Sequence, residues 1–142
     1  MRPSAALAVT SSMPELPEIG VGSGGPILVV DDDPVVLRMI CRALQEDGLP
    51  VIAAANGRLA VERARLQPPD LVVLDMSLPL LGGPDVAAEL RATFGEGLPI
   101  LLITADGRPA EKARRLGAYA YLSKPFDVDE FVATVHRGLG SD

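Results

Sequence analysis

Five short apolar runs, each followed by a longer stretch with apolar positions three and four apart, organise the chain from residue 26 onward. The runs are "ILVV" at 27–30, "PVIAA" at 50–54, "LVVLD" at 71–75, "PILLIT" at 99–104 and "YAYLS" at 119–123. They are short, rich in Val, Ile and Leu, and bounded by Gly, Pro, Asp and Asn, which is how strands buried on both faces read. The intervening stretches, at about 34–47, 57–67, 84–94, 108–116 and 127–139, carry a helical period. In the last of them Val128, Phe131, Val132, Val135 and Leu139 fall on one stripe. Five repeats of strand then helix predict an α/β fold, a five-stranded parallel sheet with five helices covering both faces.

Residues at the element ends support these boundaries. Asp33 directly precedes Pro34, the order of an N-cap and a first helical residue. Asn56 precedes the second helix, "QPP" ends it, and Gly117 follows the fourth. Asp127 and Glu130 have capping-box spacing at the start of the fifth. Residues 1–25 are small, polar and rich in Ser, Pro and Gly. They offer too little apolar surface to offset ordering entropy and read as a flexible N-terminal tail. One domain is then expected at 26–140, with no second domain after it.

Composition narrows the function classes. Nearly half the residues are apolar but only 4% are aromatic, so the core is expected to be aliphatic. A formal charge of −6, with no basic stripe interleaved with aromatics, argues against nucleic-acid binding. The single cysteine, Cys41, permits no internal disulfide and shares helical spacing with Leu37, Ile40 and Leu44, so it reads as a buried, inert thiol. "AALAV" is too short for a secretory core, and every apolar run falls short of a membrane span. A soluble cytoplasmic protein with no membrane association is expected. The one histidine, His136, is expected to face solvent near the end of the last helix.

The chemistry gathers at the carboxyl ends of the strands, where open parallel sheets bind ligands. The first strand ends in Asp31 and Asp32, the third in Asp75, the fourth in Thr104, and the fifth runs into Lys124. Two carboxylates about 4 Å apart repel by about 4 kcal/mol at an effective dielectric near 20. Three together must take up protons or hold a cation. Hard oxygen ligands beside a phosphate-binding cleft favour Mg²⁺. A carboxylate can also attack phosphorus, and an ammonium and a hydroxyl can neutralise phosphoryl oxygens.

"VVDD" before a helix, "LVVLDMSLP", "LLITA" and "YLSKPF", each tied to a predicted strand, resemble in order and spacing the receiver domain of two-component response regulators, of the chemotaxis-regulator type, over residues 26–140. The resemblance implies the flavodoxin-like strand order 2-1-3-4-5. It implies Asp75 as phosphoacceptor, with Asp31 and Asp32 as the Mg²⁺ pair, Asp32 directly and Asp31 through water. Ser77 would lend its backbone carbonyl to the metal, and Thr104 and Lys124 would contact the phosphoryl group. Tyr121 matches the aromatic that changes rotamer on activation, acting with Thr104. A cis peptide is implied at Lys124–Pro125. A sensor histidine kinase or histidine phosphotransfer protein would supply the phosphoryl group, and the readout would be protein contact. Such a domain catalyses its own aspartyl phosphorylation and dephosphorylation without being a conventional turnover enzyme.

Two departures stand out. Gly82 occupies a place the family often gives to Asp, with Gly83 retained, and the interval from Thr104 to Gly117 is about two residues short, which predicts a short fourth helix. Asp106 and Ser77 flank the cleft and are candidates for setting the rate of acyl-phosphate hydrolysis. Two other readings remain. "DDDP" permits a small phosphoaspartyl-type phosphohydrolase with Asp31 as nucleophile and Asp33 as acid–base partner. A receiver-like interaction module working without phosphate is the other.

Overall fold

The computed structural model describes residues 24–78, 81–105 and 107–140. Asp106 and the tail up to residue 23 lie outside the described residues. Five strands alternate with five helices: β1 (Ile27–Val30), α1 (Pro34–Glu46), β2 (Val51–Ala54), α2 (Gly57–Leu66), β3 (Leu71–Asp75), α3 (Gly83–Phe94), β4 (Ile100–Thr104), α4 (Pro109–Leu116), β5 (Ala120–Ser123) and α5 (Val128–Gly138). All pairings are parallel, in the order β2-β1-β3-β4-β5. Each element lies within two residues of its expected limits.

The continuous apolar runs are explained by burial on both sides. Every residue of β1, β3 and β4 is buried. Leu28, Val30, Val72, Leu74 and Leu102 face the layer containing α2, α3 and α4. Ile27, Val29, Leu71, Val73, Leu101 and Ile103 face α1 and α5, where Phe131 is the largest fully buried side chain. Each such Leu, Ile or Val contributes about 1.5–3 kcal/mol by leaving water. Cys41 packs against this second layer, where burial pushes its thiol pKa up and so keeps it protonated.

Three helices start as their sequences dictate. Asp33 caps α1 by accepting the Val35 N–H at 2.9 Å, and Asn56 caps α2 by accepting that of Leu59 at 2.9 Å. Asp127 accepts from the N–H groups of Asp129 and Glu130, the acceptor half of the expected box. The fourth helix is different. It is only eight residues long, and its N-cap, Arg108, has φ 59° with no side-chain cap bond. A non-glycine residue in that left-handed region is strained. Its other end is well held. Gly117 takes the left-handed conformation, and Arg91 of α3 donates to the carbonyls of Leu116 and Gly117. These groups satisfy carbonyls that a helix end leaves open.

Two contacts alter the expected picture of the last helix. His136 does not simply face solvent: its Nε2 meets the Asp47 carboxylate at the end of α1. The half-exposed pair joins the C-terminal ends of α1 and α5, which helix periodicity alone does not reveal. Tyr119 donates its hydroxyl to the Thr134 carbonyl at 2.7 Å, and its ring lies across Gly138, where a Cβ would stand 2.4 Å from ring atoms. Burial raises the Tyr119 pKa, against a smaller opposing effect of Arg137, so the phenol stays neutral and donates. Among the described residues, no helix is long and apolar enough to cross a membrane.

Candidate functional site

Strand register carries the polar residues of interest to one edge. Val30 pairs with Leu74, so Asp31 and Asp75 leave adjacent strands side by side. The Asp31 N–H bonds to the Ala54 carbonyl and the Met76 N–H to that of Ile103, extending the ladders past the strand ends. Thr104 pairs with Ser123, and the Lys124 N–H bonds to the Thr104 carbonyl at 2.8 Å. The Lys124–Pro125 peptide is cis, as the resemblance implied. Gly83 closes the site from α3. A Cβ there would lie 3.0 Å from the Met76 carbonyl oxygen and 3.3 Å from that of Asp75, so a side chain would push α3 off the strand end.

One carboxylate oxygen from each of Asp31, Asp32 and Asp75 falls within 4.8 Å of the others. Asp31 and Asp75 are buried, whereas Asp32 is exposed. Lys124 reaches into the cluster, its Nζ 2.9 Å from Asp31 Oδ2 and 3.5 Å from Asp75 Oδ1. Asp31 Oδ1 accepts the Asp33 N–H at 2.9 Å, and Ser77 N–H lies 3.4 Å from Asp75 Oδ1. Thr104 is buried at the edge of the site, and Tyr121 is exposed, on the sheet face shared with Leu102. The residues expected to meet across 94 positions of sequence therefore do meet, with Tyr121 at their margin.

Electrostatics show an excess of negative charge. Burial first, then the Asp31 charge and more weakly Asp32, push the Asp75 pKa up to about 6, although Lys124 and the Ser77 N–H pull against them. Burial alone would lower the Lys124 pKa, but its approach to Asp31 and the charges of Asp75 and Asp31 hold it above its ordinary value. One ammonium is thus shared by two buried carboxylates. Asp31 Oδ2 is buried from solvent, and among the described residues the Lys124 ammonium, 2.9 Å away, is the group that faces it. Hard oxygen donors, a buried carboxylate and a destabilised anion together fit a small divalent cation.

Asp33 stands outside the three-carboxylate cluster. Its carboxylate is occupied by the α1 cap, so it does not serve Asp31 as an acid–base partner. Both Asp31 and Asp75 are buried, but Asp31 is the more tightly held, with Lys124 at 2.9 Å and the Asp33 N–H at 2.9 Å against 3.5 Å and 3.4 Å for the corresponding contacts of Asp75. Direct pairing of Asp31 with Lys124 was not legible beforehand, because the two residues leave strands that are not neighbours in the sheet.

A parallel sheet in this strand order with an acidic cluster and a lysine at its carboxyl edge defines a receiver-type signalling domain. The profile of the family "Response regulator receiver domain" matches residues 27–136, and the chain belongs to that family. It is 42% identical over 108 residues to the "Probable transcriptional regulatory protein TcrX" of Mycobacterium tuberculosis, covering 75% of this chain and 46% of that protein. The chain spans about half the length of the curated relatives it matches. Among solved structures, the chemotaxis protein CheY4 of Vibrio cholerae aligns with a TM-score of 0.74 at 29% identity, over 80% of this chain and 97% of that one. The response regulator TrrA of Thermotoga maritima, solved with Mg²⁺ and BeF, aligns with a TM-score of 0.72 at 32% identity, over 80% and 98%. Domains of this family act in two-component signalling and are not conventional turnover enzymes.

Proposed function

We propose that Asp75 is the phosphoacceptor of this receiver, taking its phosphoryl group from the phosphohistidine of a sensor kinase or a histidine phosphotransfer protein. The observation that carries the reading is the crowding of Asp75 by Asp31 and Asp32 beside Lys124. In the proposed reaction an Asp75 carboxylate oxygen bonds to phosphorus as the phosphorus–nitrogen bond of the donor breaks. The departing imidazole nitrogen keeps the electron pair, and an acyl phosphate remains on the protein.

The residues divide the work by chemistry. Lys124 moves its hydrogen-bonding reach from the carboxylates to the new phosphoryl oxygens, and the Thr104 hydroxyl donates to another. Asp31, Asp32, Asp75 and the Ser77 carbonyl are the proposed holders of Mg²⁺, which when bound neutralises the carboxylates and the transferring oxygens. TrrA, solved with Mg²⁺ and BeF, supports that assignment by likeness. Gain of the phosphoryl group draws Thr104 toward it and opens room for Tyr121 to turn inward, shifting a two-state equilibrium across α4, β5 and α5. The same groups promote hydrolysis of the acyl phosphate. The readout is contact with another protein, and the lone thiol of Cys41 is compatible with a reducing cytoplasm.

The test is to incubate the protein with a small acyl-phosphate donor and Mg²⁺, then map the modified residue after reductive trapping. A label on Asp75 supports the proposal. A label on Asp31 transfers the reading to a phosphohydrolase, and no label together with no Mg²⁺-dependent response to beryllofluoride leaves a phosphate-independent interaction module.

A further inference from the structure

A cavity of about 470 Å³ lies between α3 and α4, outside the acidic site. Its floor includes Met76, Ala87 and Leu116, and Arg91, Lys112 and Arg115 stand around it. It is large enough for several side chains. In a chain of net charge −6, this largely apolar groove carries three cations and so offers acidic groups a site of opposite charge. Arg91 is engaged with the carbonyls of Leu116 and Gly117. Among the described residues Arg115 pairs with Glu111 at 3.2 Å, an exposed contact that exchanges at little cost.

The chain carries a segment of matching chemistry. Residues 13–19 read "MPELPEI", with apolar, proline and glutamate positions in strict succession: Met13, Pro14, Glu15, Leu16, Pro17, Glu18, Ile19. Proline fixes its own φ and keeps the preceding residue extended. Bound as a polyproline II helix, which has three residues per turn, such a repeat would present Met13, Leu16 and Ile19 along one edge and both glutamates along another. These are the only acidic residues before residue 24.

Reach is sufficient. Gly25 is fixed below the sheet by its N–H bond to Asp70, next to the start of β1. The Arg91 end of the groove lies near the start of β4, since Tyr119 N–H meets the Ile100 carbonyl two residues after Gly117. Two strand spacings across and one layer up amount to roughly 15 Å. Residues 20–24 span up to about 17 Å when extended.

We infer that the α3–α4 groove is a docking site for this chain's own segment 13–19, its apolar edge in the groove and its glutamates toward Lys112 and Arg115. Docking braces α4, whose eight residues are too few to stand without neighbours. This inference does not depend on phosphorylation.

The experiment uses the full chain, ¹⁵N-labelled, with a spin label at Ser12→Cys in a Cys41→Ala background. Docking gives selective loss of amide signal at Ala87, Ala88, Lys112 and Leu116, and slowed hydrogen exchange in α4. Leu16→Asp with Ile19→Asp abolishes both without touching the folded core. Glu15→Lys with Glu18→Lys weakens both, and adding Lys112→Glu with Arg115→Glu restores them. Uniform broadening, broadening centred on another cleft such as that near Leu49 and Leu139, or broadening that passes only between mixed labelled and unlabelled copies overturns the inference.

Discussion

Replacing Asp75 with Asn removes one negative charge from a buried cluster while keeping side-chain size. Carboxylate oxygens within 4.8 Å repel by about 3.5 kcal/mol per pair at an effective dielectric near 20. The rise in the Asp75 pKa from 3.8 to about 6, due first to burial and already net of the Lys124 attraction, corresponds to about 3 kcal/mol. The bare repulsion overstates the gain, because the variant also loses its charge contact with Lys124, 3.5 Å away, although Lys124 keeps the closer Asp31. A net gain of about 1–3 kcal/mol is expected without divalent cations at pH 7.5, or roughly 4–10 °C in Tm. The pH dependence has a definite sign. A carboxyl whose pKa rises on folding penalises the native state once ionised, so the wild type is at no disadvantage below about pH 4. It loses ground as pH rises from there to about 6, and the gap is constant above that. Saturating Mg²⁺ narrows the gap by stabilising the wild type alone. Urea titrations across pH in chelator and in Mg²⁺ measure all of this. Equal stabilities at pH 7.5 in chelator, or a gap that ignores both pH and Mg²⁺, would refute the electrostatic account of the site.

Three further outcomes are expected. Lys124→Met leaves Asp31 and Asp75 without their shared counter-charge and costs about 3 kcal/mol in chelator, a loss that Mg²⁺ partly reverses in denaturant melts. Asp33→Ala removes the α1 cap and costs about 1 kcal/mol, but acyl-phosphate labelling of Asp75 proceeds at the wild-type rate; a large drop in labelling would return Asp33 to the chemistry. Gly138→Ala gains about 1 kcal/mol of helix propensity yet drives a methyl group into Tyr119 and Leu71, with a net loss of about 1–2 kcal/mol. Tyr119→Ala removes the ring from this clash and leaves Leu71, so in a double-mutant cycle of thermal melts Gly138→Ala costs less in the Tyr119→Ala background than in the wild type.

The sequence was informative wherever a local rule sufficed. Runs such as "LVVLD" can only be central strands, and a parallel sheet then places Asp31, Asp75, Thr104 and Lys124 at one edge. Asp33, Asn56 and Asp127 announced their caps because capping is decided within three residues. Contacts set by packing between distant elements were not legible. His136 and Asp47 are separated by 89 positions, and nothing in either helix's periodicity points to the other. The seat of Tyr119 on Gly138 depends on a missing side chain in another element. Likewise, the direct hold of Lys124 on Asp31 joins the ends of β5 and β1, which do not pair in the sheet, a matter of tertiary geometry.

The unequal ends of α4 have a mechanical consequence. Arg91 rivets the Leu116–Gly117 end to α3, while the Arg108 end rests on a strained residue without a cap. Such a rod yields as a lever about a fixed pivot, so small displacements near Thr104 become a sweep of its free tip instead of a slide along the sheet. Amide exchange should therefore be fastest at Ala110 and fall steadily toward Leu116, and Arg91→Ala should erase that gradient.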